Sequence, residues 1–176
     1  LNYCRDNDKT LTSVRNAVIG GSALSQSMLQ EFDEAHDVNV IQGWGMTEMS
    51  PLGTSNFLTP EMKKMSKEER YSVQLKQGRP MYGVELKVVD DSGEDLPNDG
   101  ESQGHLLVRG PWVLKRYFKA EKDAVDKDGW FDTGDISVLD KDGYMTIKDR
   151  AKDVIKSGGE WISSIDLENA AVGHSE

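Results

Sequence analysis

Cysteine is nearly absent from this chain of 176 residues: Cys4 stands alone, so no internal disulfide can form and a reducing compartment fits. Histidine is almost as scarce. His36, His105 and His174 are scattered singly, and with one thiol they leave no zinc constellation. The apolar runs are only a few residues long, far below the ~20 that a bilayer span needs, and no signal-peptide pattern opens the chain. No serine sits in a nucleophile-elbow pattern. Basic residues are outnumbered, 21 against 31 acidic ones, giving a formal net charge of −10. That balance argues against a general nucleic-acid or anionic-membrane surface, while local donors and a divalent cation remain free to hold a phosphate. A soluble cytoplasmic protein is the default expectation. The length suits one ordinary domain or parts of two.

What is present is organised in two styles. Ala17-Val18-Ile19 followed by Gly20-Gly21 predicts a buried strand ending in a sharp turn. Met28, Leu29, Phe32 and Ala35 then recur at helical spacing behind a cap at Ser25 or Ser27. Val38 to Ile41 predicts the next strand, so residues 18–42 read as a strand-helix-strand unit that delivers Gly43 to Glu48 at a strand's C-terminal end, where open α/β sheets bind ligands. Thr59 to Gln77 turns to Lys, Glu and Met, an exposed helix or surface excursion closed by Gly78-Arg79-Pro80. Beyond Pro80 the period becomes two. Val84 to Val89, His105 to Val108, Ile136 to Leu139 and Tyr144 to Ile147 predict strands, the last two joined by the turn Asp140-Lys141-Asp142-Gly143. Such short strands indicate a small β-barrel or a distorted sheet. Asp149-Arg150 continues without a strand pattern and reads as a linker or boundary. A short strand around Asp153 to Lys156, a glycine turn and a helix from Ser163 or Ser164 complete the chain. The expected domains are 1–77, an α/β part; 78–148, a β-barrel-like part; and 149–176, a hinge and the start of a further domain.

Three stretches carry chemistry. In Gln42-Gly43-Trp44-Gly45-Met46-Thr47-Glu48 the glycines let backbone approach a flat ligand, Trp44 offers a stacking face, Thr47 a neutral hydroxyl for a phosphate oxygen, and Glu48 a hard carboxylate suited to Mg²⁺. The same residues taken alone also describe a glycine-rich turn with a buried Trp and a solvated Glu. In Gly129-Trp130-Phe131-Asp132-Thr133-Gly134-Asp135, Asp135 is a carboxylate at a strand end that could accept both hydroxyls of a ribose, or a turn residue capping local amides. From Asp149 through Arg150, Lys152 and Lys156 runs a cationic segment that is either functional or a solvated face. Beyond it, Ser157-Gly158-Gly159-Glu160-Trp161 joins two permissive glycines to an aromatic that could equally be core. Together these are the parts an ATP-using site requires.

In this order the three stretches resemble the adenylate-forming superfamily of acyl-CoA synthetases, luciferases and peptide-synthetase adenylation domains, and within it the fatty acyl-CoA synthetase branch. The resemblance runs from about Val18 to the last residue. It implies an α/β fold followed by a small β-barrel-like subdomain and the start of a small α+β C-terminal domain, an incomplete version of the superfamily's fold. It is incomplete because the superfamily's Ser/Thr/Gly-rich phosphate loop and its late Gly-Lys segment are absent, so the chain reads as an internal piece. The aromatic at Trp44 is Tyr in many relatives.

The resemblance implies an activity: a carboxylic acid and ATP give an acyl-adenylate and pyrophosphate, and coenzyme A then takes the acyl group. ATP, Mg²⁺ and coenzyme A are the implied cofactors and substrates. Thr47 and Glu48 become catalytic, Glu48 holding the metal. Gly21, Ser22 and Ala23, with Gln42 to Met46, become contacts of the adenylate. Asp135 and Arg150 become ribose ligands, Lys152 and Lys156 phosphate neighbours, Trp161 a nucleotide neighbour, Gly158 and Gly159 the border of the coenzyme A tunnel, and Asp149 the hinge. Arg109-Gly110-Pro111 and Tyr117 match a family segment of structural role. Homodimers are common in this branch. Another adenylating enzyme, or a non-catalytic nucleotide-binding module, would share part of this pattern; the Gly-Gly-Glu-Trp-Ile-Ser stretch favours the acyl-CoA synthetase.

Overall fold

Asn16–Ile19 (β1) and Asn39–Gly45 (β2) pair in parallel, which requires a crossover, and the helix Gln26–His36 (α2) supplies it. The computed structural model describes residues 1–157, 160–162, 164 and 167. Ser25 caps α2 by accepting the Met28 amide at 3.2 Å. The helix ends at Asp37, a left-handed residue whose amide returns to Asp33 while Val38 returns to Phe32, the double bond of a Schellman-type stop. Leu29 and Phe32 face the core with Leu24, Val40 and Tyr71. Two expectations fail here. Met28 and Ala35 face solvent, one position off the buried stripe. Val18 is 75% exposed because it shares with Asn16 the face of β1 that the described residues leave uncovered.

That sheet continues antiparallel through Leu52–Asn56 (β3) to the short Arg79–Pro80 (β4). Pro80 is tolerated on this outer strand, where a missing donor costs least. Between β3 and β4 lies the expected Lys/Glu-rich excursion. It holds a helix, Lys67–Gln74 (α3), opened by a reciprocal capping box of Ser66 and Glu69. It is not wholly a surface feature: Met62, Tyr71 and Gln74 are buried. Polar side chains from the strands tie its C-terminal end, where helix carbonyls lack partners. Asn56 donates to the carbonyls of Val73 and Lys76 at 2.6 and 2.9 Å, and Thr54 to that of Gln77 at 2.5 Å. All of this, with the short N-terminal helix Asn2–Asp6 (α1), belongs to one compact unit, Leu1–Met81.

The second unit, Tyr82–Glu176, is built on an antiparallel meander of Glu85–Val89 (β5), Gly104–Arg109 (β6), Phe131–Leu139 (β7) and Met145–Arg150 (β8), in that order. Of the two architectures expected, the distorted sheet is the one found; among the described residues these four strands form an open sheet. Val88, Leu106, Val108, Ile136, Val138 and Met145 are its buried apolar residues, and they come from both faces. Its turns share one device, an aspartate whose carboxylate accepts amides two to four residues ahead: Asp90 from Ser92 and Glu94, Asp99 from Glu101 and Ser102, Asp126 from Asp128 and Trp130, Asp140 from Asp142 and Tyr144. These are Asx-type turns. The amides of Ser102 and Glu101 and the Ser102 hydroxyl hold Asp99 down at about 2. After β8 a turn leads to the ribbon of Ile155–Ser157 (β9) and Glu160–Ile162 (β10). Ser164 is helical, as expected; Ser163 lies outside the described residues.

Tyr71 joins α3 to α2 electrostatically. Its hydroxyl donates to Asp33 at 2.5 Å, and Arg70 pairs with the same carboxylate at 2.6 Å. Burial, reinforced by the Asp33 charge, pushes the Tyr71 hydroxyl up from 10.0 to about 12. The fold thus favours the protonated phenol, so its stabilisation is complete below pH 10 and is lost as pH climbs toward about 12. Between those limits the melting temperature of the native chain should fall more steeply than that of Tyr71→Phe. Parallel melting profiles would refute the assignment.

Candidate functional site

The first group of candidate residues collects at the carboxyl ends of β1 and β2. Ile19 stands opposite Gln42, so the loop Gly20 to Ala23 leaves β1 beside Gly43, close enough that a Cβ on Gly20 would meet the Gly43 carbonyl oxygen at 3.1 Å. Gln42 shares the buried face of β2 with Val40 and Trp44; its Oε1 is buried and has no hydrogen-bond partner among the described residues. Gly45 ends the strand. Its amide neighbour Met46 donates to the Pro51 carbonyl at 2.8 Å, and a Cβ at Gly45 would stand 1.9 Å from that same oxygen. No side chain fits there. Thr47–Met49 then makes one 3-10 turn, closed by Met49 onto Met46 and by Ser50 onto Thr47. Met49 is fully buried, Thr47 is exposed and Glu48 half-buried. The turn therefore uses its third residue as an anchor, offers its first outward and keeps its second partly covered.

Trp44 is 7% exposed, and its ring lies against Gly53 so closely that a Cβ there would be 2.6 Å from it. The buried Trp that the residues alone allowed is therefore found. A single carboxylate beside a hydroxyl is an adequate protein contribution to Mg²⁺, which keeps several waters and takes its other ligands from phosphates. Among the described residues no group of three or more His, Cys, Asp and Glu is arranged to hold a metal by itself.

The second group lies in the other unit. Asp135 and Arg150 are cross-strand partners on β7 and β8, and Arg150 Nε meets Asp135 Oδ1 at 2.9 Å, the carboxylate buried and the guanidinium half-exposed. A buried carboxylate persists ionised only if it is paired and hydrogen-bonded. Thr133 fixes the strand by donating to the Leu106 carbonyl at 2.9 Å and accepting the Asp135 amide at 3.1 Å. Asp135 is thus not at a strand end, as the sequence predicted. The strand continues through Thr133-Gly134-Asp135 with Gly134 at φ +72°, and the ladder shifts register just after, between Ile136 and Ser137.

Asp149 also departs from expectation. It is paired with Ile136 inside β8, not in a patternless linker, and it is 2% exposed. Its carboxylate accepts the Arg150 amide at 2.7 Å, the Ser164 amide at 2.6 Å and the Ser164 hydroxyl at 3.0 Å. Sequence reasoning found Ser164 as a helix start and missed that Asp149 is what it meets. Lys152 is exposed in the turn that follows β8. Lys156 and Trp161 are backbone register partners in the β9–β10 ribbon. Gly158 and Gly159 lie outside the described residues.

A profile of the AMP-binding enzyme family matches residues 1–118. The 3-methylmercaptopropionyl-CoA ligase of Ruegeria pomeroyi is 54% identical over 99% of this chain and 32% of its own length. The medium-chain-fatty-acid–CoA ligase of Ectopseudomonas oleovorans is 52% identical over 92% and 30% respectively. Among solved structures, the o-succinylbenzoate coenzyme A synthetase of Bacillus subtilis in complex with ATP and magnesium superimposes with a TM-score of 0.78 at 30% identity, over 98% of this chain and 34% of that one. The chain spans about a third of the length of the curated relatives it matches.

The geometry of the Thr47 turn makes a stability prediction. Gly45→Ala should destabilise the chain by about 1–3 kcal/mol, the usual cost of forcing an atom into filled space, because the carbonyl it strikes is backbone. Gly21→Ala, whose Cβ meets nothing within 4 Å, should cost only the strain of a left-handed alanine. Urea unfolding of both variants decides it; equal losses would mean that the β2–β3 turn tolerates the methyl by moving.

Proposed function

Because the chain belongs to the AMP-binding enzyme family, we propose that it is part of an acid–thiol ligase, one that activates an aliphatic carboxylic acid with ATP and passes it to coenzyme A. The acid's oxygen bonds to the α-phosphorus as pyrophosphate leaves; the coenzyme A thiol then takes the acyl carbon, and AMP departs. The activity belongs to a longer protein, given that the chain spans a third of its relatives. The observation that carries the reading is the 3-10 turn that sets the exposed Thr47 and the half-buried Glu48 side by side above the buried Met49.

Attack of a carboxylate on a phosphate brings two anions together, so catalysis is chiefly positioning and charge neutralisation. Bound Mg²⁺ would supply positive charge between the phosphates. Glu48 would hold it, and the Thr47 hydroxyl would donate to an α-phosphate oxygen. Asp135 would accept from the ribose hydroxyls while Arg150, already oriented by that carboxylate, donates to the ribose with its remaining N–H groups. Gly21, Ser22, Ala23 and the Gln42 to Met46 backbone would flank the adenylate, with Trp44 walling the adenine. The unmatched Gln42 Oε1 could be satisfied by an amine donor of the base. Lys152, Lys156 and Trp161 would join from beyond β8, and Gly158 and Gly159 would border the thiol's path. Asp149 would be the hinge, and its grip on Ser164 would be made and broken as the domains alternate. The same reading places the parent enzyme in the cytoplasm, as a homodimer acting on small molecules; among the described residues no helix is long and apolar enough to cross a membrane.

Two substitutions in the longer enzyme test this. Glu48→Gln should lower ATP–pyrophosphate exchange by about 10²–10³, the usual loss for one preorganised electrostatic group, with the melting temperature unchanged. Asp135→Asn should raise the apparent ATP KM more than it lowers kcat, since a ribose contact is made equally in ground and transition states. Exchange that is indifferent to Glu48→Gln removes the metal assignment, and an unchanged ATP KM removes the ribose assignment.

A further inference from the structure

The connection between β6 and β7 inverts the chain's charge. From Gly110 to Trp130 it carries five cations, Lys115, Arg116, Lys119, Lys122 and Lys127, against four acids, Glu121, Asp123, Asp126 and Asp128. Asp123 is already neutralised by Arg116 at 2.6 Å and Lys115 at 3.6 Å. Lys119, Lys122 and Lys127 have no carboxylate partner among the described residues. Every residue from Lys115 to Asp123 is exposed.

At the tip of this cationic segment are large apolar groups that burial would ordinarily claim. Phe118 is 90% exposed and Tyr117 49%. They sit in a turn closed by the Ala120 amide on the Tyr117 carbonyl at 3.1 Å. The next residue, Lys119, takes φ 61°, a left-handed conformation that lysine rarely adopts and that flags a functional constraint. It sets the ammonium 5.3 Å from the Phe118 ring, so cation and aromatic are presented together. The flanks of the same segment line a cavity of about 460 Å³ in which Val113, Leu114 and Val125 are mixed with Lys115, Lys127, Asp123 and Asp126.

We propose that this connection docks on an anionic lipid surface, Phe118 and Tyr117 entering the interface while Lys115, Lys119, Lys122 and Lys127 meet the headgroups. Aromatic rings favour the interfacial zone, and each cation near an anionic surface adds to the attraction. The bulk charge of −10 does not prevent this, because beyond ~8 Å at physiological salt the remaining acids are screened while contacting cations are not. The inference is independent of the catalytic reading: it requires neither ATP nor the longer enzyme.

Cosedimentation of the purified chain with vesicles tests it, using phosphatidylcholine alone and phosphatidylcholine mixed with phosphatidylglycerol. The chain should partition to the mixed vesicles, leave them as salt is raised, and ignore the neutral ones. Lys119→Glu should weaken partitioning about five-fold or more, the worth of a single cation at such a surface, and Phe118→Ala about ten-fold, the worth of one buried aromatic. Tyr3→Ala, which removes another exposed aromatic, in the other unit, should bind like the parent. Circular dichroism of each variant should match the parent, both sites being exposed. Equal binding to both vesicle types, binding to neither, or equal losses from Tyr3→Ala and Phe118→Ala would overturn the proposal.

Discussion

The distance between Gly45 and the Pro51 carbonyl governs everything the β2–β3 turn presents. With no Cβ at Gly45, the Met46 amide reaches that carbonyl at 2.8 Å and the chain reverses in a single 3-10 turn. Gly53 makes the complementary concession, receiving the Trp44 ring and the Met49 side chain against bare backbone. Two missing side chains thus let two large ones pack. Burial of Trp44 and Met49 holds the hairpin shut from below, and between them Thr47 is left exposed with Glu48 half-buried beside it. Had either glycine carried a methyl, the hairpin would have to widen, and Thr47 and Glu48 would move with it.

The second unit reaches a comparable result with charge. Asp135 lies too deep to be ionised alone, and Arg150 reaches it from the neighbouring strand. The pairing lies next to a register shift between β7 and β8, on a stretch of β7 that Thr133 ties to the Leu106 carbonyl. Asp149, one residue before Arg150, points its carboxylate to Ser164 instead. Adjacent strand residues point to opposite faces, so one strand end serves two neighbourhoods: a carboxylate–guanidinium pair on one side and a grip on the chain's later segment on the other.

How much of this could be read in the sequence follows from how local each signal is. The β1-α2-β2 unit was legible because apolar periodicity, the Ser25 cap and strand propensity all act within a few residues. The hairpin turn at Asp140 to Gly143 was legible for the same reason. Val18 was not: a strand's burial depends on what lies beside and over it, which periodicity does not contain. Asp135 was misplaced at a strand end and Asp149 in a linker because glycine and charge usually mark termini, whereas here a residue fifteen positions away satisfies each: Arg150 on the neighbouring strand, and the helical Ser164. The residue types of the candidate site were visible. Their pairing, and the tight backbone contact behind Gly45, were not.

The aspartate-capped turns have a consequence for the chain's acidity. Asp90, Asp99, Asp126 and Asp140 are acidic for the sake of backbone amides, not of any ligand. Asparagine offers the same acceptor oxygen, with weaker, uncharged bonds. Four such exchanges would take the formal charge from −10 to −6 while keeping each turn's contacts, and would lift the isoelectric point above 4.8. Part of the protein's electrical character is thus a by-product of how its hairpins are closed, and its colloidal behaviour could be retuned without redrawing its backbone.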